Sequence, residues 1–498
     1  MRRTPLPPPP APRRPKVDAA GLAGIFLLLL GIPAARPEEP PLTTCASLRS
    51  LSHEAAERGQ PVRVRGTITY THPDFYGGMV LQDDTAGIYV DRAFSRDHHL
   101  DSQNPPWPKT VPRGALVEIE GVTWSGHYAP VLAPMKIRVL GPGSLPKAVP
   151  LAFSEALDGR WDCQCVQLHG VVQFAENRPD LTERSRLDLV ANGGRIPVES
   201  LTLLPNPARL VDAEVEVQGV AFTYFNTRGE LVGVRLETTD DADLQVLNPG
   251  REDPFSAPEV PISTLRPFSP EETNFHRCRC TGTVTLAHPG SYFYLQEGGR
   301  GIRVETLDRS PLVPGDRVEA AGFVEVADDF GKLRNAAIRK LGTAGRPAPT
   351  VINRARVLGT EKIGAVTNAD DTDGLFGRLI GRLEKVDLAN PDGPRLFIES
   401  EGYLVTATLA RPASEAEMAR FEPGSDVRID GVIRVELASG WPAQAYPMPK
   451  SFQLLVDAPA DIAVLHGAPW WTPRRVWLLL GGICGILALT LGWNWLLR

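Results

Sequence analysis

One block of sequence is written four times along this 498-residue chain, and that repeat constrains the fold more than any other feature. Each block opens with an alternating segment that ends in a glycine, at intervals of 104, 112 and 99 residues. These glycines are Gly66, Gly170, Gly282 and Gly381. A second alternating segment also ends in a glycine, at intervals of 98, 103 and 109 residues. This second set is Gly121, Gly219, Gly322 and Gly431. Two markers with one period predict four modules of the same architecture.

Each module has the strand pattern of a small barrel. Met79–Val90 and Phe293–Val304 are alternating hairpins in blocks one and three, and Leu187–Val190 and Leu396–Ile398 are shorter counterparts in blocks two and four. With a closing strand such as Ile137–Gly141, each block reaches five strands. Five strands with a glycine in the curved first strand favour an OB-like barrel over an immunoglobulin-like sandwich, which needs about seven strands. The sequence therefore predicts an all-β chain of four tandem OB-like five-stranded barrels.

Proline-rich joints divide the chain between these blocks. We place module 1 at residues 41–146, module 2 at 147–250, module 3 at 257–346 and module 4 at 350–466. A polar segment introduces each block, clearest in Leu48–Arg58, and we expect it to form a short helix that plugs an open barrel end.

Both ends of the chain are membrane-directed. Residues 1–36 combine a basic, proline-rich leader with a short apolar run, as in a signal peptide or an uncleaved signal anchor. Residues 476–497 are an uncharged run of 22 residues, which predicts one transmembrane helix. We expect the chain to lie in the inner (cytoplasmic) membrane, with the four modules in the periplasm or outside the cell.

The region between these ends is acidic. The chain has 53 Lys and Arg residues, nine of them outside residues 37–473, and 59 Asp and Glu residues, one of them outside that region. Residues 37–473 therefore contain 44 basic and 58 acidic residues. A surface that binds a polyanion needs a basic stripe, so nucleic acid is not a favoured partner. The six cysteines are too few for a disulfide scaffold, and Cys278 and Cys280 occupy the positions of Val62 and Val64, as expected for buried thiols.

Aromatic residues near the first hairpin are the candidate ligand site. OB folds usually bind ligands on the face formed by strands 2 and 3, where aromatic side chains can stack on a sugar or a base, although aromatic residues in strands also serve in cross-strand packing. We expect a small ligand or sugar to bind module 1 through Tyr70, Phe75, Tyr76, Tyr89, Trp124 and Tyr128.

A candidate metal site lies in the insertion after that hairpin. Two imidazoles and two carboxylates fall within five residues, a composition that suits Zn²⁺, and a solvated loop is the alternative. These residues are Asp97, His98, His99 and Asp101. Asp83 and Asp84 are interpreted as a polar turn rather than a Ca²⁺ site. The sequence contains none of the common catalytic motifs, so we expect neither an enzyme nor a cofactor.

The runs Leu42–Ser52, Pro61–Tyr70 and Leu81–Val90 resemble the periplasmic sensor region of a family of bacterial sensor histidine kinases. The resemblance covers most of residues 41–345. In that family a membrane helix and cytoplasmic PAS-type and kinase parts follow. This sequence stops at Arg498, before a phosphoacceptor histidine or an ATP-binding domain, so kinase activity is not implied.

Two functions are therefore open. The resemblance implies the extracytoplasmic ligand-binding region of a membrane-bound two-component receptor, a homodimer whose kinase part is encoded downstream or separately. The alternative is a membrane-tethered OB-fold protein that binds or scaffolds envelope polysaccharide or oligonucleotide.

Overall fold

The computed structural model describes residues 40–72, 78–98, 100, 108, 110–179, 184–192, 194–265, 275–326, 331–358, 372–391, 393–437, 449–469 and 473–496. Strands dominate these residues, helices other than the last are one or two turns long, and four closed barrels follow one another along the chain. The predicted fold class is confirmed for the modules. The predicted signal segment at 1–36 lies outside the described residues.

Modules 1 and 3 are plain five-stranded barrels. The elements of module 1 are α1 (Cys45–Arg49), α2 (His53–Ala56), β1 (Pro61–Thr71), β2 (Met79–Gln82), β3 (Gly87–Val90), α3 (Arg92–Asp97), β4 (Ala115–Trp124) and β5 (Val131–Pro142).

Modules 2 and 4 add a short strand before the barrel and divide the fifth strand in two. Module 2 consists of β6 (Val149–Pro150), α4 (Phe153–Ala156), β7 (Cys165–Arg178), β8 (Arg184–Ala191), β9 (Gly194–Ser200), α5 (Pro207–Leu210), β10 (Glu214–Phe225), β11 (Leu231–Thr238) and β12 (Leu244–Asn248). Module 3 consists of β13 (Cys278–His288), β14 (Tyr292–Glu297), β15 (Arg300–Glu305), β16 (Asp316–Val326) and β17 (Gly331–Thr343). Module 4 consists of β18 (Thr350–Val351), α6 (Arg354–Val357), β19 (Phe376–Asp387), β20 (Arg395–Ser400), β21 (Tyr403–Leu409), α7 (Glu415–Met418), β22 (Asp426–Leu437), β23 (Pro449–Val456) and β24 (Ile462–His466).

All four barrels have the strand order of the OB fold. In module 1 the order is β1-β2-β3-β5-β4, β4 closes on β1, and β3 pairs with β5 in parallel. The other modules repeat this order and the parallel pairing. In modules 2 and 4 the hairpins β8–β9 and β20–β21 are complete. The segments recognised in the sequence, Leu187–Val190 and Leu396–Ile398, cover only part of them.

The repeated glycines are explained by close approach of neighbouring strands. A Cβ atom on Gly66 would lie 2.6 Å from the carbonyl oxygen of Gln82, and one on Gly121 would lie 2.2 Å from that of Ala133. The six equivalent glycines have the same kind of neighbour at 2.4–2.8 Å. Two positions per barrel must therefore lack a side chain for the first and fourth strands to coil tightly.

Each barrel encloses its own apolar core, and the introductory helices close one end of it. Cys45 and Leu48 of α1 are fully buried in the core of module 1, as Phe153 of α4 is in module 2. A buried helix at the start of the block is thus confirmed in these two modules, but in module 1 the predicted helix at Leu48–Arg58 is two short helices, of which α1 supplies the buried residues Cys45 and Leu48. Cys278 and Cys280 lie in the core of module 3, where burial raises the pKa of the Cys278 thiol to about 11.

The modules associate in two equivalent pairs. The outer face of β1, β2 and β3 packs on module 2, with Tyr70, Val80, Cys163, Cys165 and Val220 forming the buried contact. The contact of module 3 with module 4 is built from Leu286, Tyr294, Val432 and Leu455.

The same two sequence features hold both pairs together. The backbone N–H of Cys165 donates to Gln82 Oε1 at 3.0 Å, and the N–H of Phe376 donates to Gln296 Oε1 at 2.9 Å. Opposite each glutamine stands a glycine, Gly87 or Gly301, whose added Cβ would lie 1.7 or 2.0 Å from a carbonyl oxygen of the next module. The repeating unit of this chain is therefore a pair of barrels.

The joint between the pairs is polar. Arg195 of module 2 contacts Glu325 of module 3 at 2.7 Å, and Asn335 donates to the carbonyl oxygen of Gln173. Asp212 adopts a left-handed backbone conformation (φ 75°) and accepts the backbone N–H of Arg277. The equivalent residues of the other modules are glycines, so Asp212 adopts a conformation unfavourable for its residue type while it anchors the linker.

The last helix, α8 (Pro473–Leu496), contains the span Val476–Trp495, which is long and apolar enough to cross a membrane and is not buried in the protein. Among the described residues no other helix meets that description.

We expect Gly87→Ala to force modules 1 and 2 apart, because its methyl group would overlap the carbonyl oxygen of Cys163. Overpacking of this kind costs about 1–3 kcal/mol. The amide of Cys165 should then exchange with deuterium faster. The control is Gly299→Ala in the third module's hairpin turn, where an added Cβ has no neighbour within 4 Å. Unchanged exchange at Cys165 in Gly87→Ala would contradict this account of the pairing.

Candidate ligand-binding face

The outer face of the first three strands of each barrel can be compared residue by residue. Its centre is a pair of residues facing each other across the first two strands. The four pairs are Tyr70–Val80, Phe174–Asp188, Leu286–Tyr294 and Lys385–Phe397. The side chains of these four pairs differ in polarity, and they also differ in the part of the protein that covers them.

In modules 1 and 3 this face is closed by the next barrel. Tyr70 is 1% exposed and Tyr294 is 3% exposed, and both lie in the contact with the following module. In module 2 the face is engaged with module 3. There Arg195 lies 3.1 Å from Asp188 and also contacts Glu325 of module 3.

The face of module 4 is the remaining one. Three side chains form a row across its first three strands, each opposite the next in the register: Lys385, Phe397 and Thr406. The ammonium group of Lys385 lies 5.7 Å from the centroid of the Phe397 ring.

The features that dock a following barrel are missing from module 4. At the positions of the docking glutamine and glycine stand Glu399 and Leu404, which face each other across the hairpin. The Leu404 side chain is 55% exposed and would occupy the space that the glycine leaves for an approaching carbonyl group. This face is therefore not shaped for another barrel, and we name the row with Leu404 the module 4 face.

The charges around the module 4 face are mixed. Lys385 supplies a cation in the row, and Glu399, which faces Leu404 across the hairpin, supplies a carboxylate. An aromatic ring, a hydroxyl and charges of both signs can stack on and hydrogen-bond to a polar ring. The face does not form the continuous basic stripe that a polyanion needs.

The aromatic residues predicted to bind a ligand do not share one face. Tyr70 and Tyr89 lie at the contact with module 2, where burial raises the pKa of Tyr89 to about 12. Trp124 stacks on Phe94 at 4.3 Å, and Tyr128 lies 6.4 Å from Phe225 of module 2. Phe75 and Tyr76 lie outside the described residues. While modules 1 and 2 stay paired, Tyr70 offers no ring face to solvent.

The predicted metal residues are only partly described. Asp97 ends α3 and pairs with Arg96 at 3.0 Å, while His98 stacks on Phe94. His99 and Asp101 lie outside the described residues. Within the described part of the chain no group of three or more His, Cys, Asp or Glu side chains is placed to hold a metal ion. The Zn²⁺ site stays a prediction.

Asp83 has a structural role in the first hairpin. Its carboxylate accepts the backbone N–H groups of Cys45, Thr85 and Ala86. Although partial burial opposes them, the hydrogen bond from the Thr85 hydroxyl and these backbone hydrogen bonds hold the pKa of Asp83 below its ordinary value, and the bond from Cys45 attaches α1 to the barrel. The interpretation as a turn is confirmed.

The sequence interpretation missed the module 4 face. Phe397 lies in the segment Leu396–Ile398, which was recognised only as a short counterpart of the hairpin, and Lys385 was not singled out. The available signal was the replacement of the Gln–Gly pair of modules 1 and 3 by Glu399 and Leu404 in the fourth repeat.

No family model matches this chain, and no curated protein matches it. Among solved structures it is similar to the hypothetical protein ygiW from E. coli, with 15% identity over 17% of this chain and 92% of that one, and a TM-score of 0.15. It is also similar to a replication protein A heterotrimer bound to single-stranded DNA, with 10% identity over 64% and 96%, and a TM-score of 0.17. A murine DNA-binding protein bound to double-stranded DNA has 12% identity over 36% and 98%, and a TM-score of 0.18. At these TM-scores the likenesses carry no argument about function.

Proposed function

We propose that this protein is a membrane-tethered binding protein that holds a saccharide on the module 4 face. The observation that carries the proposal is the comparison of the four outer faces, in which the faces of modules 1 to 3 contact a following barrel and, among the described residues, that of module 4 does not. Modules 1 to 3 then act as a scaffold, and the role is binding rather than catalysis.

A saccharide fits the chemistry of this face better than a nucleic acid. The Phe397 ring can stack on the apolar side of a sugar, while Thr406 and Lys385 can hydrogen-bond to its hydroxyl groups. A single-stranded nucleic acid usually needs a basic groove along its backbone, and Glu399 lies beside the row. An oligonucleotide remains the competing ligand for the experiment.

Binding can be measured by calorimetry with the full chain in detergent. The probes are a panel of neutral, amino and uronic-acid hexasaccharides and a 15-nucleotide oligothymidylate. We expect one of the hexasaccharides to bind, and Phe397→Ala to weaken it by at least about tenfold, the equivalent of ~1.4 kcal/mol. The control is Leu307→Ala, at an exposed leucine of module 3.

Two outcomes would contradict the proposal. The first is hexasaccharide binding that survives Phe397→Ala, which would place the ligand elsewhere. The second is tighter binding of oligothymidylate than of any hexasaccharide, which would make the protein a nucleic-acid binder.

A second candidate function, the ligand-binding region of a two-component-type receptor, is favoured by the connection to α8. Only six residues separate the end of β24 at His466 from the start of α8 at Pro473. A Cβ on Gly424 would lie 3.7 Å from Ala468 and 3.5 Å from Pro469, so the described part of this connector lies against module 4 at these two residues. A short packed connector transmits a movement of the barrel to the helix better than a flexible one. The homodimer, the orientation across the inner membrane and a separate kinase part belong to this candidate function.

The receptor function predicts that a Gly-Ser insertion between Ala468 and Pro469 abolishes signalling. It would be tested in a chimera in which a cytoplasmic kinase follows α8, with kinase output as the measurement. The same insertion at Gly299, an exposed turn in module 3, serves as the control and should leave output intact. Undiminished output after the connector insertion would leave the tethered binding protein as the better description.

A further inference from the structure

The barrels can also be compared on the wall where the first, fourth and fifth strands pair with one another. One outward-facing row crosses these three strands. The rows of modules 1 and 3 are Arg65–Glu118–Arg138 and Thr281–Glu319–Arg339. In both rows the central carboxylate is almost fully buried and is paired with arginines. The charges on these two walls are thus satisfied within each barrel.

Module 4 has the opposite charge at the centre of this row. Its row is Ile380–Arg428–Ala463, so an arginine stands where modules 1 and 3 have an acid, and its two neighbours are uncharged. Within the described part of the chain the Arg428 guanidinium group has no ion pair, and its Nε atom is buried without a hydrogen-bond partner. We name the wall around this row the module 4 wall.

A second arginine of the module 4 wall is also specific to this repeat. Arg382 directly follows the repeated glycine Gly381, at a position that is uncharged in the other modules, where it is Thr67, Val171 or Thr283. Arg382 forms no ion pair with any residue that the structure describes. The module 4 wall therefore has two cations that its own barrel does not neutralise by direct contact.

The surface beside these arginines is a groove with a mixed lining. Its volume is about 610 Å³, and it lies between β18, β19, β24 and the end of β20. Val351 and Ile380, which line it, are 70% and 54% exposed. The carboxylates of Glu401 and Asp426 also line the groove. It thus presents apolar side chains and charges of both signs to whatever covers it.

The module 4 wall lies next to the start of the apolar helix. A Cβ on Gly424 would lie 4.0 Å from Arg382 Nη2 and 3.5 Å from Pro469 of the connector. Three residues separate Pro469 from the first residue of α8, and that stretch of chain can span at most about 14 Å. The span Val476–Trp495 has 20 residues, about the thickness of the hydrocarbon core of a bilayer. Pro473 then lies at the level of the headgroups, and Arg382 is close to them.

We propose that the module 4 wall binds the phospholipid headgroups of the bilayer that α8 crosses. A guanidinium group matches the geometry of a phosphate, so Arg382 and Arg428 bind the phosphate groups. The carboxylates of Glu401 and Asp426 fit the ammonium group of a zwitterionic headgroup, and Ile380 contacts the apolar part of the interface. This contact fixes the orientation of module 4 on the membrane, and it does not depend on a ligand at the module 4 face.

The contact can be measured as protection of a cysteine from a water-soluble maleimide. The full chain carries Ile380→Cys together with Cys484→Ser, because the other five cysteines are buried. It is compared in maltoside micelles, which lack phosphate, and in phosphatidylcholine nanodiscs with one chain each, which exclude a second copy. We expect a reaction about tenfold slower in the nanodiscs, the equivalent of a contact closed ten times as often as open. The control is Leu307→Cys on module 3, which should react equally fast in both.

Two further variants identify the groups responsible. The double variant Arg382→Ala with Arg428→Ala should restore fast labelling of Ile380→Cys in the nanodiscs. Arg228→Ala, at an exposed arginine of module 2, should leave the protection intact. Equal labelling rates at Ile380→Cys in micelles and nanodiscs, or protection that survives the loss of both arginines, would overturn the proposal.

The charge of the lipid tests the assignment of a zwitterionic headgroup. In nanodiscs of phosphatidylglycerol the ammonium group is missing, so Glu401 and Asp426 would face anionic headgroups without a partner. We expect weaker protection of Ile380→Cys there than in phosphatidylcholine. Stronger protection in phosphatidylglycerol would contradict the zwitterionic assignment.

Discussion

A glutamine oxygen that accepts a backbone N–H from the next barrel, opposite a glycine that lets the two backbones touch, determines how this chain is assembled. The arrangement occurs at Gln82 with Gly87 and again at Gln296 with Gly301. A side chain on either glycine would overlap a carbonyl oxygen, so the docking is specific as well as close. This docking covers the surface on which OB barrels usually bind ligands. Where the glutamine and the opposite glycine are absent, that surface remains available for a ligand.

The division of labour among the barrels follows from this docking. Modules 1 and 3 use their outer faces to dock modules 2 and 4, and the polar joint at Arg195, Glu325 and Asp212 links the two pairs. The module 4 face is left open, and only six residues join that barrel, from the end of β24, to the apolar helix α8. A binding event there would be close to that helix.

The sequence was sufficient for the barrels and insufficient for their pairing. Gly66 and Gly121 mark steric contacts within one barrel, which recur at a fixed period and so appear in the sequence as a repeat. The pairing of barrels depends on which outer surface of one barrel meets which surface of the next. The alternation of residues along a strand shows only whether Tyr70 faces the inside or the outside of its own barrel. It could not show that Cys163 and Val220 of another module cover Tyr70. Phe397 was missed because its strand matched the repeat weakly.

Cleavage at the joints tests the pairing most directly. A protease site would be inserted after Ser144, between modules 1 and 2, or after Glu252, between modules 2 and 3, and the folded full chain would be cut and passed over a size-exclusion column. The account predicts that modules 1 and 2 stay together after the first cut, because their buried contact does not depend on the linker. After the second cut the two pairs should separate, because a few polar contacts hold them. Release of module 1 by the first cut, with modules 2 and 3 remaining together after the second, would contradict it.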